Sequence, residues 1–291
     1  MPSAEAKEDG RQDERMRSRR LPTLLIVAAA STTLVACGGS GGKGDAPAPA
    51  PTGATAAPGT AAKLILVTND DGVAAPGIDA LARRLTALPG VTVRVVAPSG
   101  NRSGSGGQTT PGTLVSRPAK TSSGLDATAV DGFPADTVRV ALDDLKLQPA
   151  FVVSGANEGQ NVGPIAAISG TVGAARAAAQ RGIPALAVST GRPSSGNRYD
   201  FDVAADLAAR QVEKTLPGAG AATPDTATIG NLNVPSCPTG QVRSLQELPA
   251  STKPDARALE ASNCTSTAPP SDEITSFLDG FAVLTRIPAR A

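Results

Sequence analysis

The chain has no histidine and no tryptophan, and only one tyrosine and five phenylalanines in 291 residues. Without histidine there is no Ser-His-Asp or Cys-His machinery, no histidine phosphatase and no His-rich zinc site. Any hydrolytic chemistry must run through carboxylates, hydroxyls, amides, backbone groups and a bound metal. So few rings argue against a stacking platform for single-stranded nucleic acid. An excess of charge of one sign is also missing. The 27 basic and 26 acidic side chains leave a net charge of +1, so no basic face is implied for nucleic acid or for an anionic membrane surface.

What is present is unevenly spread. Residues 1–62 hold a single apolar run. Arg15-Met16-Arg17-Ser18-Arg19-Arg20 forms a basic flank, and Leu21 to Ala36 is uncharged and too short for a comfortable membrane span. The run ends Leu34-Val35-Ala36-Cys37-Gly38, which resembles a bacterial lipobox. Residues 1–36 therefore read as a lipoprotein signal peptide, and Cys37 as the lipidated first residue of an exported, membrane-anchored protein on the periplasmic side or cell surface. Residues 38–62 are mostly Gly, Ala, Pro, Ser and Thr, so 37–62 reads as lipidated Cys plus flexible tether. Export puts the remaining cysteines, Cys237 and Cys264, in an oxidising compartment. A disulfide between them is expected, closing a loop in a weakly patterned region.

Residues 63–291 are enough for one α/β domain with a sizeable core. Leu64–Val67 is a continuous apolar run, as a buried parallel strand requires. Gly77–Leu88 carries Ile78, Leu81, Leu85 and Leu88 at helical spacing, and Val91–Ala97 reads as the next strand. Thr113–Arg117 and Ala127–Asp131 read as short extended segments. Pro134–Leu145 reads as a helix with Pro at its start, and Phe151–Val153 as a strand. Ser169–Arg181 is an Ala-rich helix capped by Ser169. Ala185–Ser189, Phe201–Leu216, Thr228–Leu232 and Val283–Thr285 continue as strand, helix, strand and last strand. The alternation predicts a Rossmann-like three-layer α/β core with a mostly parallel sheet. Its ligand should lie outside the carboxyl ends of the strands.

Polar clusters follow those strands. They are Asn69-Asp70-Asp71-Gly72, then Asn101-Arg102-Ser103-Gly104, then Asn157-Glu158-Gly159-Gln160-Asn161, with a helix opening at Ser169-Gly170-Thr171. Adjacent carboxylates such as Asp70 and Asp71 repel unless a cation lies between them. As a plain turn they would need no such partner. Ser103 and Asn157 can add neutral oxygens, and an all-oxygen set with two carboxylates suits one Mg²⁺ or Mn²⁺ ion rather than zinc. Ser169, Gly170 and Thr171 offer a helix N-terminus as an anion site, and Asn69 and Asn161 are further candidate substrate contacts.

These stretches together resemble the SurE family of survival-protein nucleotidases. The matching segments are Leu64–Gly77, Val95–Gly104, Asp131–Asp136, Val152–Gly163, Ser169–Arg176, Gly182–Ser189 and Asn231–Pro235. The resemblance implies a metal-dependent phosphatase that releases phosphate from 5′- and 3′-nucleoside monophosphates. The family's metal ligands fall on Asp70, Asp71, Ser103 and Asn157. It also implies a C-terminal extension, shortened here, that leaves a homodimer open. Glu158, Pro164, Ile165 and the loop Gly104–Gln108 depart from the family pattern. Two rival readings differ in chemistry. A haloacid-dehalogenase-type phosphatase would place its nucleophile on Asn69, which cannot form an acyl phosphate. A lipid-anchored binding protein for a phosphorylated solute would have no use for paired carboxylates.

Overall fold

The computed structural model describes residues 62–196, 198–216 and 225–290. The expected signal peptide, Cys37 and most of the tether lie outside the described residues. Strand β1 (Lys63–Thr68) leads into α1 (Pro76–Thr86) and β2 (Val91–Pro98). A long loop then reaches the hairpin of β3 (Ser116–Lys120) and β4 (Asp126–Val130). Helix α2 (Pro134–Arg139) continues as a wider π turn over Val140–Asp144, and β5 (Phe151–Glu158) follows. After a 3₁₀ turn at Gly163–Ala167 come α3 (Gly170–Gln180), β6 (Ala185–Thr190), α4 (Phe201–Thr215) and β7 (Thr228–Val234). The C-terminal part holds β8 (Arg243–Glu247), a 3₁₀ turn at Ala256–Leu259, α5 (Glu273–Leu278) and β9 (Phe281–Pro288).

The nine strands form one sheet in the order β3-β4-β2-β1-β5-β6-β7-β9-β8. The pairs among β4, β2, β1, β5, β6 and β7 are all parallel, while β3 runs antiparallel to β4 and β9 antiparallel to β7. Helices cover both faces, so the central strands are apolar on both sides. Ile65 and Val67 of β1 join Ile78, Leu81 and Leu85 of α1 and Ala204 and Ala208 of α4. Leu66 points the other way, into a cluster with Val138 of α2 and Val172, Ala175 and Ala178 of α3. The alanines of α3 and α4 let those helices lie close to the sheet.

Three expectations need correction. The first extended segment begins at Ser116 rather than Thr113, because its limits are set by pairing of Ser116–Lys120 with Asp126–Val130. Pro118 is tolerated there because β3 is an edge strand. The Phe151 strand runs on to Glu158 through a register shift against β6 between Ser154 and Asn157. Such a bulge re-aims the side chains that follow it. Finally, β8 and α5 were not anticipated. Strand β8 pairs with β9, and α5 packs on β9 through a third apolar cluster of Val162, Ile274, Phe277, Phe281 and Val283.

Cys237 and Cys264 form a disulfide, with Cα atoms 5.7 Å apart across a sequence separation of 27. A loop of that length should contribute about 3 kcal/mol by constraining the unfolded chain. The double replacement Cys237→Ser, Cys264→Ser is therefore expected to lower the unfolding free energy by that amount in a urea titration. An unchanged midpoint would mean that the loop is held without the bond.

Candidate active site

The chain leaves β1 outward to β2 and β4, then returns to place β5 on the other side of β1. This reversal opens a crevice at the carboxyl ends of β1 and β5, the usual ligand position in an open α/β sheet. The loops after β1, β2 and β5 meet there. Asn69 staples the first of them: its Nδ2 donates to the Gly72 carbonyl at 2.9 Å, and its Oδ1 accepts from the Gly72 N–H at 3.2 Å. The Arg102 N–H donates to the Asp70 carbonyl at 2.6 Å, joining the second loop to the first. The Glu158 N–H donates to Asp71 Oδ2 at 3.2 Å, joining the third.

Asp70 is 2% exposed and lies against the N-terminus of α3. Thr171 Oγ1 donates to Asp70 Oδ1 at 2.5 Å. A Cβ on Gly170 would sit 2.8 Å from Asp70 Cβ and 2.9 Å from Asp70 Oδ2, so only glycine leaves room for this approach. The anion at this helix end is thus the chain's own carboxylate. That corrects the expectation for Thr171, whose side chain is fully buried and committed to Asp70. Ser169 acts as the N-cap, accepting from the Val172 N–H at 3.2 Å; such a cap contributes about 1 kcal/mol. Asn69 also departs from expectation as a substrate contact. It is 0% exposed and both polar atoms of its amide serve the turn.

Asp71 is more open. Asn101 Nδ2 lies 3.5 Å from its Oδ1, and the Glu158 N–H holds its Oδ2. Ser103 is exposed on the same loop as Asn101 and Arg102, and its N–H donates to Asn101 Oδ1 at 2.9 Å. Asn157 Nδ2 donates to the Gly159 carbonyl at 2.6 Å. Its Oδ1 has no donor among the described residues, which leaves an oxygen for a ligand. Asn161 is set deeper. Its Nδ2 donates to Ser189 Oγ at 2.8 Å, its N–H donates to Asn233 Oδ1 at 2.7 Å, and its carbonyl accepts from Asn231 Nδ2 at 2.9 Å.

Sequence reasoning assigned no role to Asn231 and Asn233, or to Ser105. The asparagines alternate along β7 and share one face, so a period-2 polar pair in an apolar strand was the available signal. Ser105 Oγ is buried without a partner and would lie 2.8 Å from a Cβ on Gly170, beside Asp70.

Burial pushes the Asp70 carboxyl above the ordinary range, and the Thr171 hydroxyl offsets this only in part. Burial also raises Asp71; the neighbouring Asp70 and Glu158 charges add to it, taking it to about 7. Both carboxylates are therefore disfavoured as anions without a cation beside them. No cluster of three or more His, Cys, Asp or Glu exists among the described residues. The crevice gathers two carboxylates with the loops that carry the Asn157 amide and the Ser103 hydroxyl, a composition that fits a hard divalent cation.

The family model described as "Survival protein SurE" matches residues 65–256. The chain belongs to the SurE family. Among its relatives, the 5'-nucleotidase SurE of Symbiobacterium thermophilum is 38% identical over 197 residues, covering 63% of this chain and 70% of that protein. The 5'-nucleotidase SurE of Legionella pneumophila (strain Philadelphia 1) is 41% identical over 184 residues, covering 62% and 68%. The crystal structure of the SurE protein from Aquifex aeolicus matches with a TM-score of 0.61 at 25% identity, over 78% of this chain and 93% of that one. Membership in the SurE family removes the haloacid-dehalogenase alternative.

The raised Asp71 value has a consequence for this SurE-family chain. A carboxyl whose folded value lies above its unfolded one stabilises the fold below the unfolded value, and that stabilisation is lost as pH rises through about 7. The melting temperature of metal-free protein is expected to fall between about pH 4 and about pH 7 through this group and to level off above that. Asp71→Asn should flatten the fall in a calorimetric series. An equally steep fall in the variant would assign it to other groups.

Proposed function

We propose that this SurE-family chain is a phosphomonoesterase that hydrolyses nucleoside 5′-monophosphates with the help of one divalent cation, Mg²⁺ or Mn²⁺. The observation that carries the proposal is the adjacent Asp70–Asp71 pair at the strand ends, one carboxylate buried and one half-buried, where the loops carrying Asn157 and Ser103 converge. Curated relatives named 5'-nucleotidase SurE support the reaction class.

Asp70, Asp71, Asn157 Oδ1 and Ser103 Oγ would hold the ion. Bound there, it would supply Lewis-acid polarisation of a phosphate oxygen and of an attacking water. Asp70 is the fixed member, oriented by Thr171 and closed off from solvent. Asp71 is the open member and would orient the water, while the Glu158 N–H keeps its carboxylate turned toward the crevice. Asn101, exposed beside Asp71, is available as a neutral donor to phosphate. With no histidine in the chain, no imidazole competes for these proton transfers. The rival reading as a binding protein without turnover predicts capture of the same nucleotides with no phosphate released.

Phosphate release from AMP is expected with Mn²⁺ or Mg²⁺ and should stop when chelator is added. Asp71→Asn should lower kcat by at least about a hundredfold, of the order seen when a preorganised charged or hydrogen-bonding group is lost, while the protein stays folded. Turnover that ignores chelator would sink the metal, and no turnover of any nucleotide would sink the enzyme. The same assay with 3′-AMP decides whether the 3′ ester is also cleaved.

We further propose that the protein is exported and held at a membrane through lipid on Cys37. Cys37→Ser is then expected to move the protein from the membrane pellet to the soluble fraction of fractionated cells. A variant still found in the pellet would count against the lipid.

A further inference from the structure

The only tyrosine of the chain, Tyr199, lies just before α4, and its half-buried ring stacks on Phe201 with centroids 5.4 Å apart and planes 24° from parallel. Phe201 is fixed in turn against the crevice. A Cβ on Gly77 would meet both Phe201 Cε1, at 2.9 Å, and the carbonyl of Ala156, at 1.9 Å. Ala156 immediately precedes Asn157, so the aromatic pair is anchored next to the loop that carries one of the site's oxygen donors. The Tyr199 phenol is pushed up mainly by burial and then by the negative charge of Glu158, with Arg192 opposing and Asp71 adding a smaller push.

The backbone under the ring is latched. The Asp200 N–H donates to Ser236 Oγ at 3.1 Å, and the Cys237 N–H donates to Asp200 Oδ2 at 2.7 Å. The same rings line a cavity of about 410 Å³, with Pro76, Ser122 and Arg198 among its other walls. That volume lies within the range of small-molecule sites, about 300 to 1,000 Å³. A latched aromatic ring that lines an open cavity, and whose stacking partner lies near the Ala156 carbonyl just before Asn157, is suited to a ligand with a phosphate at one end and a flat ring at the other.

We propose that Tyr199, backed by Phe201, is the surface on which the nucleobase of the substrate packs, with the sugar spanning the distance to the carboxylate site. The proposal rests on the reading of that site as a nucleotidase. An aromatic face accepts every base, because each has a π face, so Tyr199 would select nucleotides over other phosphate esters without selecting one base. Arg198 and Ser122, at the wall of the cavity, supply polar groups for the base edge.

The test compares AMP with ribose 5-phosphate, which carries the same ester without the base. The preference for AMP, as a ratio of kcat/KM values, is expected to fall about tenfold in Tyr199→Ala, toward the lower end of the loss typical of base–aromatic stacking. It should be retained in Tyr199→Phe, and the loss should appear in KM rather than kcat. An unchanged ratio in Tyr199→Ala, or a loss in Tyr199→Phe equal to that in Tyr199→Ala, overturns the proposal. A binding measurement separates this failure from failure of the nucleotidase reading. With one tyrosine and no tryptophan, the protein's tyrosine emission reports Tyr199 alone. Adenosine is expected to change that emission saturably, with or without turnover, while ribose leaves it as it was. An emission indifferent to adenosine overturns the proposal even in an active enzyme.

Discussion

The docking of Asp70 against the first turn of α3 is the contact on which the rest of the site depends. It needs a glycine at 170, since any Cβ there would strike the carboxyl group, and it needs the Thr171 hydroxyl as donor. The Arg102 N–H on the Asp70 carbonyl then ties the loop after β2 to the same point. That loop is held at its far end as well, where Asp136 accepts from the Thr110 N–H at 2.9 Å and from the Phe133 N–H at 3.0 Å. One buried residue thus aligns a strand end, a helix start and the loop that carries Asn101 and Ser103.

Magnitudes show why this docking does not by itself satisfy the charge. A carboxylate at a helix N-terminus gains about 0.3 to 1 kcal/mol, and up to about 2 when partly buried. Removing an ion from water costs several kcal/mol even after relaxation. The helix end and one hydroxyl therefore orient Asp70 without compensating its burial, and burial still dominates its proton affinity. Asp71 adds a second carboxylate at the same place. The proposed cation would close that balance, and it would also let a phosphate dianion approach two acids. Glu158, where the family pattern is different, adds negative charge at the mouth through its exposed side chain. Its backbone N–H, the part that any residue would provide, does the structural work on Asp71.

Much of this was legible in the sequence because it follows from local rules. Apolar runs such as Leu64–Val67 and the spacing of Ile78, Leu81 and Leu85 define strands and helices buried on known faces, and a parallel sheet gathers the following loops at one edge. What pattern alone could not supply was direction. Asn69 and Thr171 are polar residues at the right edge, yet their side chains turn inward, one to its own turn and one to Asp70. Nothing in residue type separates a group that binds a ligand from one that holds a neighbour which does. The C-terminal part was hard to read for a different reason. Strand β8 (Arg243–Glu247) is a polar edge strand with no apolar alternation, and α5 has only six residues. Strand β8 takes its form from pairing with β9, and α5 from the cluster around Phe277, rather than from their own propensity.

That C-terminal part is more than an appendage to the core. Gln160 follows directly on the loop of Asn157, and its Nε2 donates to the carbonyls of Ala258 and Glu260, at 3.0 and 2.8 Å. Its Oε1 accepts from the Arg192 N–H at 3.0 Å, which fixes the chain on the way to Tyr199. Asp200 is latched to Cys237, and Cys237 is bonded to Cys264. The rim of the crevice is therefore braced through the disulfide and through Gln160, while Asp70 rests on α3. The two supports are independent: one orders the charged centre, the other orders the surface around it. In a chain with so few aromatic rings, and with its one tyrosine beside a disulfide-braced latch, loss of the bond should loosen the rim while leaving Asp70 seated on α3. On the proposed reading, the shape of the accepted substrate would depend on this C-terminal bracing as well as on the carboxylate centre.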